Sequence, residues 1–162
     1  MFIKANRLIL CLLLMLQISA CGFHLRGNSQ IADRFNPLYV VNENLDPALL
    51  KLIRAELIRS SAIITEVAES SNRLQVAIKP LKNRKIASSN LTNVELVQLT
   101  MNLQFSVQSG SGEYLLSQLE LVQSVEVQLD NANVLANEQT ILTAQKGLQR
   151  KLIQSMISRL SR

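Results

Sequence analysis

Three groups of residues have types or spacing that could do chemistry. Cys21 follows an apolar N-terminal run, His24 stands three residues later, and Lys79, Lys82, Arg84 and Lys85 form a basic run with no acidic residue among them. A lone histidine beside a chain terminus is a poor general base, because nothing in the sequence orients it or tunes its proton affinity. There is no glycine-rich phosphate loop and no His/Cys/Asp/Glu spacing suited to a metal. Catalysis is therefore not expected, and neither is a metal or a dissociable cofactor. The basic run has two readings of about equal weight. Clustered cations can hold phosphates and acidic sugars, or lysines can guard a sheet edge against pairing with another sheet.

The cysteine is more specific. Lys4 and Arg7 form a basic head, Leu8 to Leu16 is unbroken apolar sequence, and Ile18-Ser19-Ala20-Cys21 follows Gln17. A basic head, a short apolar stretch and small residues before a cut make a signal peptide. A permanent membrane helix needs about 20 apolar residues, roughly twice this run. Ile18-Ser19-Ala20-Cys21 resembles the lipobox, whose cysteine becomes S-diacylglyceryl and N-acyl modified and forms the new N-terminus. The chain then divides into a signal peptide over 1–20, an acylated tether with some local structure over 21–36, and one domain over 37–162. Gly22 stands where Asp would mark inner-membrane retention in enterobacterial lipoproteins, so a lipid anchor on the periplasmic side of the outer membrane is expected. Cys11 leaves with the signal peptide and Cys21 is alkylated, so no disulfide can form. Removing Lys4 and Arg7 leaves 15 basic against 12 acidic side chains. That mild excess lacks the concentrated footprint of a nucleic-acid binder.

The remaining chain supplies elements able to position these groups. Pro37 leads into the apolar run Leu38-Tyr39-Val40-Val41, a short buried strand. Asp46-Pro47 opens a helix to about Ser60, with Leu49, Leu50, Ile53 and Leu57 on one stripe. Ile63 and Ile64 suit a short strand. Arg73 to Lys79 alternates, and Pro80 implies a bulge or an edge there. A Ser/Asn-rich turn is expected near Ser88 to Asn93. From Val97 to Gln108 apolar and polar residues alternate strictly, which means a strand with one wet face. Ser109-Gly110-Ser111-Gly112 turns the chain into a return strand whose Leu119, Leu121, Val125, Val127 and Leu129 share one parity. A last helix is expected from near Asn137 to Leu160, on the stripe Ile141, Leu148, Leu152, Ile153, Met156, Ile157 and Leu160. The order predicts an α+β two-layer sandwich, with two helices packed on one face of a mainly antiparallel four- to five-stranded sheet. The polar face of the long hairpin is mostly neutral amide and hydroxyl, which suits either plain solvent or the inside of another polar structure.

Cys21-Gly22-Phe23-His24-Leu25-Arg26-Gly27 resembles the mature N-terminus of the lipopolysaccharide-assembly lipoprotein family LptE, also called RlpB. The Asp46-Pro47 helix, the long alternating hairpin, the Asp130-Asn131 break and Asn137-Glu138-Gln139 before the last helix follow the family's order. The resemblance implies a non-enzymatic outer-membrane lipoprotein that binds lipopolysaccharide. It further implies a plug and assembly partner, one to one, of the β-barrel LptD, taking part in moving lipopolysaccharide into the outer leaflet. Lys79, Lys82, Arg84 and Lys85 are then the candidate lipopolysaccharide contacts. One departure stands out: the loop from Asp130 to Asn137 has no Lys or Arg, where some members have basic residues credited with lipid contact. A pilotin escorting a secretin or another barrel is the alternative. A tethered soluble lipid carrier would need an enclosed apolar cavity, of which the sequence gives no sign.

Overall fold

The computed structural model describes residues 30–41, 45–89 and 93–162. Its elements, in chain order, are a 3-10 turn at Asp33–Phe35, β1 (Leu38–Val40), α1 (Pro47–Arg59), β2 (Asn72–Ile78), β3 (Lys82–Ser89), β4 (Val94–Gln108), β5 (Tyr114–Asp130) and α2 (Val134–Leu160). They form the expected α+β architecture, with five strands in one sheet that is antiparallel except for β1 beside β2.

β4 organises the sheet. β5 pairs along its whole length on one side, from Val94↔Asp130 to Gln108↔Tyr114. The other side is shared: β2 pairs with residues 103–108 and β3 with residues 94–100. β2 and β3 thus lie end to end, and the chain between them stays close, since the Lys79 N–H donates to the Asn102 carbonyl at 2.9 Å. Pro80 sits in this gap, where a strand residue would owe the ladder a donor that proline lacks. The β4–β5 turn closes with the Gly112 N–H on the Ser109 carbonyl at 2.9 Å. Gly112 has φ +89, a backbone state that only glycine adopts without strain.

One face of the sheet is the core. The alternating set Val97, Leu99, Met101, Leu103, Phe105 and Val107 is buried, together with Leu74 and Val76 of β2. α2 lies against β5 and β4, and α1 packs beside α2. Leu49, Ile53 and Leu57 of α1 join Leu148, Leu152, Ile153, Met156, Ile157 and Leu160 of α2 in that one core. α1 begins as the sequence implies: the Asp46 carboxylate accepts from the Ala48 N–H at 2.9 Å and the Leu49 N–H at 3.2 Å, and Pro47 follows it.

Three details differ from the sequence reading. α2 starts at Val134, not near Asn137, and its cap is Asn133, whose side chain accepts from the Ala136 N–H. The segment around Ser88 is strand rather than turn, because β3 runs to Ser89. The stretch before Pro37 is not all tether. Ile31 and Phe35 are buried in the core, the Ile31 N–H donates to the Ser60 carbonyl, and the Ala32 N–H donates to the Leu160 carbonyl, both at 3.0 Å. No helix among the described residues is long and apolar enough to cross a membrane.

Candidate functional site

Cys21, His24 and the whole opening motif lie outside the described residues. The basic run does not, and its placement follows from strand parity. Residues opposite each other across a ladder point to the same face of the sheet. Lys82 is opposite Thr100 and Arg84 is opposite Gln98, so both point away from the helices. Lys79 joins them there. Its Nζ donates to Glu120 Oε1 at 3.0 Å, and Glu120 sits opposite Gln104 on the same face. Lys85 is opposite the buried Val97, so it points to the helix side, where it is paired with Glu95. The four cations therefore make a group of three and a singleton, not one cluster. A β-bulge between Lys85 and Ala87 follows immediately.

The face that carries the three is uncovered by any helix. Gln75, Gln98, Thr100, Asn102, Gln104, Ser106 and Ser124 share its parity through the ladders, and Gln118 lines a hollow there with Gln75, Gln104 and Ser106. Neutral amides and hydroxyls dominate it, and Lys79 and Glu120 pair with each other. The Asn102 amide donates to Glu120 at 2.8 Å and Lys79 completes the carboxylate's shell, which together hold the Glu120 pKa below its ordinary value. On the opposite face the hydrogen bond from Lys85 lowers the Glu95 pKa, against a smaller contrary effect of burial. Both carboxylates thus remain ionised, and both ion pairs intact, wherever an ordinary glutamate is charged.

Sequence reasoning missed a second basic group. Lys151 and Arg159 of α2, with Arg162 just beyond its end, line an open groove of about 630 Å³ beside residues 120–123 of β5. Lys151 and Arg159 stand towards the C-terminal end of α2, where cations complement the helix dipole. The missed signal is spacing, since 151, 155, 158 and 159 fall on one polar stripe next to the buried one. Among the described residues there is no group of three or more potential metal ligands.

A model of the family described as LptE, lipopolysaccharide-assembly, matches residues 35–160. No protein with a curated description matches the chain. Solved structures share the fold. An uncharacterized lipoprotein B from Nitrosomonas europaea is 20% identical with a TM-score of 0.67, the match covering 86% of this chain and 90% of that one. A minor lipoprotein from Acinetobacter baumannii is 16% identical with a TM-score of 0.61, covering 78% and 91%. The rare lipoprotein B from Shewanella oneidensis is 20% identical with a TM-score of 0.54, covering 76% and 93%. The family match spans the domain from the 3-10 turn through the last turn of α2, and on that ground this chain belongs to the lipopolysaccharide-assembly family LptE.

Proposed function

We propose that this chain is an outer-membrane lipoprotein, anchored on the periplasmic side through acylated Cys21. It forms a one-to-one complex with an LptD-type β-barrel, as plug and assembly partner, and takes part in inserting lipopolysaccharide into the outer leaflet. Beyond family membership, the supporting observation is the helix-free sheet face with its neutral amides. A wide barrel has a polar lumen, and a body enclosed in it has less need of surface charge than a free-standing domain. The test is site-specific photo-crosslinking in cells from Gln98, Asn102 and Gln104, whose side chains are on that face, and from Gln118, which lines a hollow beside Gln104. Crosslinks to one large outer-membrane barrel are expected, together with misassembled barrel when this protein is depleted. Crosslinks only to soluble periplasmic proteins, with the barrel assembling normally without this chain, would end the reading.

The same reading gives Lys79, Lys82 and Arg84 a role in holding lipid A phosphates or acidic core sugars, since all three reach the uncovered face. Lys85 stands apart, occupied by Glu95 on the other side. Reversing Lys82 and Arg84 to Glu should weaken lipopolysaccharide binding about tenfold or more, with an unchanged circular dichroism spectrum. Lys85→Glu should do less. Equal binding by all variants would leave the basic residues as guards of the β3 edge.

A further inference from the structure

The two outer edges of the sheet are treated differently. The β3 edge carries Lys82, Arg84 and Lys85, is broken at Pro80 and bulges after Lys85. These are the usual devices that stop an edge from pairing with a foreign strand. β5, at the opposite edge, has no basic residue or proline, and its register shifts are confined to the end before Leu119. Its residues, YLLSQLELVQSVEVQLD, contain no Lys, Arg, Pro or Gly. From Leu119 to Asp130 it pairs with β4 without a register shift.

The direction of its free backbone groups can be fixed. The Asn102 carbonyl accepts from Lys79, so the Asn102 backbone faces β2 rather than β5. Val122, opposite Asn102, therefore turns its own N–H and C=O away from β4. By alternation Glu120, Ser124, Glu126, Gln128 and Asp130 do the same. Asp130 confirms this, because its outward groups are both taken by the Asn137 side chain. The Asp130 N–H donates to Asn137 Oδ1 at 2.9 Å, and Asn137 Nδ2 donates to the Asp130 carbonyl at 2.7 Å. One amide side chain there imitates a neighbouring strand. Among the described residues no hydrogen bond reaches the outward groups of Glu120, Val122, Ser124, Glu126 and Gln128. That is a row of about 27 Å of unpaired donors and acceptors.

Beside this row α2 overhangs. The groove at residues 120–123 is roofed by Lys151, Ser155, Ser158, Arg159 and Arg162, with no apolar side chain from the helix. Lys151 and Arg159 take no part in the ion pairs found among the described residues, and Glu120 is engaged on the far face by Lys79 and Asn102. A strand laid on β5 would send alternate side chains towards that roof. The helix rise from Lys151 to Arg159 is about 12 Å. Strand residues i and i+4 lie about 13 Å apart.

We propose that the β5 edge from Glu120 to Gln128 is a docking edge for an extended segment of a partner protein, with carboxylates at alternate positions facing α2. Its backbone bonds to Glu120, Val122, Ser124 and Glu126, Lys151 and Arg159 meet its carboxylates, and its other face is neutral or basic against Val122 and Glu126. Addition of a strand gives affinity through the main chain and selectivity through alternate side chains. The inference uses only this chain's sheet and helix, and holds whether or not the body sits in a barrel.

The test uses the purified protein and two synthetic peptides of about nine residues, one alternating Glu with Thr and Val, the other with Lys in place of Glu. The Glu peptide should slow amide exchange at Val122, Ser124 and Glu126 by about tenfold or more, and the Lys peptide should not. Lys151→Glu with Arg159→Glu should invert the preference. Ser124→Pro, which removes an outward N–H and no ladder donor to β4, should abolish protection by either peptide. If Ser124→Pro fails to melt cooperatively, the charge-reversed variant alone decides. Equal protection by both peptides, protection by neither, or an unchanged preference in the charge-reversed protein would overturn the proposal. So would a dimer in light scattering with those amides already protected, which would mean that the edge pairs with itself.

Discussion

Phe105→Asp is expected to abolish the cooperative melting transition. Phe105 is 1% exposed, stands opposite Val76 on one side and Leu119 on the other, and lies on the core face of β4. Losing a buried phenyl ring costs about 3–5 kcal/mol through lost transfer and the cavity left behind. Placing a carboxylate there without a partner adds several kcal/mol, because the charged form must lose its water. The neutral form must instead bind a proton at a pH where it would otherwise release one. A domain of this size holds about 5–15 kcal/mol in total, so the two effects together exceed or match it. Thr100→Asp is the control, on the same strand but with the opposite parity, beside Lys82 and Ser124. Its effect should stay within about 0.5 kcal/mol. Thermal unfolding followed by circular dichroism checks both. A wild-type melting curve for Phe105→Asp would mean that the core face has been assigned to the wrong side.

The second large effect concerns the anchor. Cys21→Ser should abolish acylation entirely and leave an uncleaved or soluble precursor. The expectation is all-or-none for a physical reason. A single chain gives marginal, reversible binding, and each buried methylene contributes about 0.8 kcal/mol, so several chains on one residue hold effectively without release. An oxygen in place of the thiol sulfur cannot form the thioether to diacylglycerol. Membrane fractionation and mass spectrometry of the N-terminal peptide read the result. An unmodified Cys21 peptide from the wild-type protein would refute the anchor outright.

Most parts of this fold that were legible in the sequence have two unlike faces, β1 alone being read from an unbroken apolar run. β4 and β5 alternate because one side meets the helices and the other does not. α1 announces itself through Asp46 and Pro47 and through its stripe. β3 was not legible, because all eight of its residues are exposed and no period survives when neither face is buried. That failure also hid the division of the basic run. Once Lys82 to Ser89 is known to be a strand, Arg84 and Lys85 must face opposite ways. The start of α2 was misplaced by two asparagines of equal capping ability. Asn133 caps the helix, and Asn137 closes the end of the β5 edge instead. Phe35 was placed in a tether because its neighbours have mixed polarity, and only its fourth-residue spacing from Ile31 hinted that both are buried.

The shared use of β4 by three other strands divides the molecule into a local part and a clasp. β3, β4 and β5 follow one another in sequence and pair with their immediate neighbours, so their contacts close short loops, and β2 joins on the same long strand. The bonds from Ile31 to Ser60 and from Ala32 to Leu160 are different in kind, since the latter ties the first described turn to the end of the last helix. Short loops cost little entropy to close and form early, while a contact spanning nearly the whole domain is among the last to form. The meander can therefore persist while the clasp opens, and the segment at Ile31 and Ala32 can part from the end of α2 and reclose without the sheet being dismantled. A protein that must be threaded into a larger assembly, or pulled to a surface by its first residue, gains from having its give at that place.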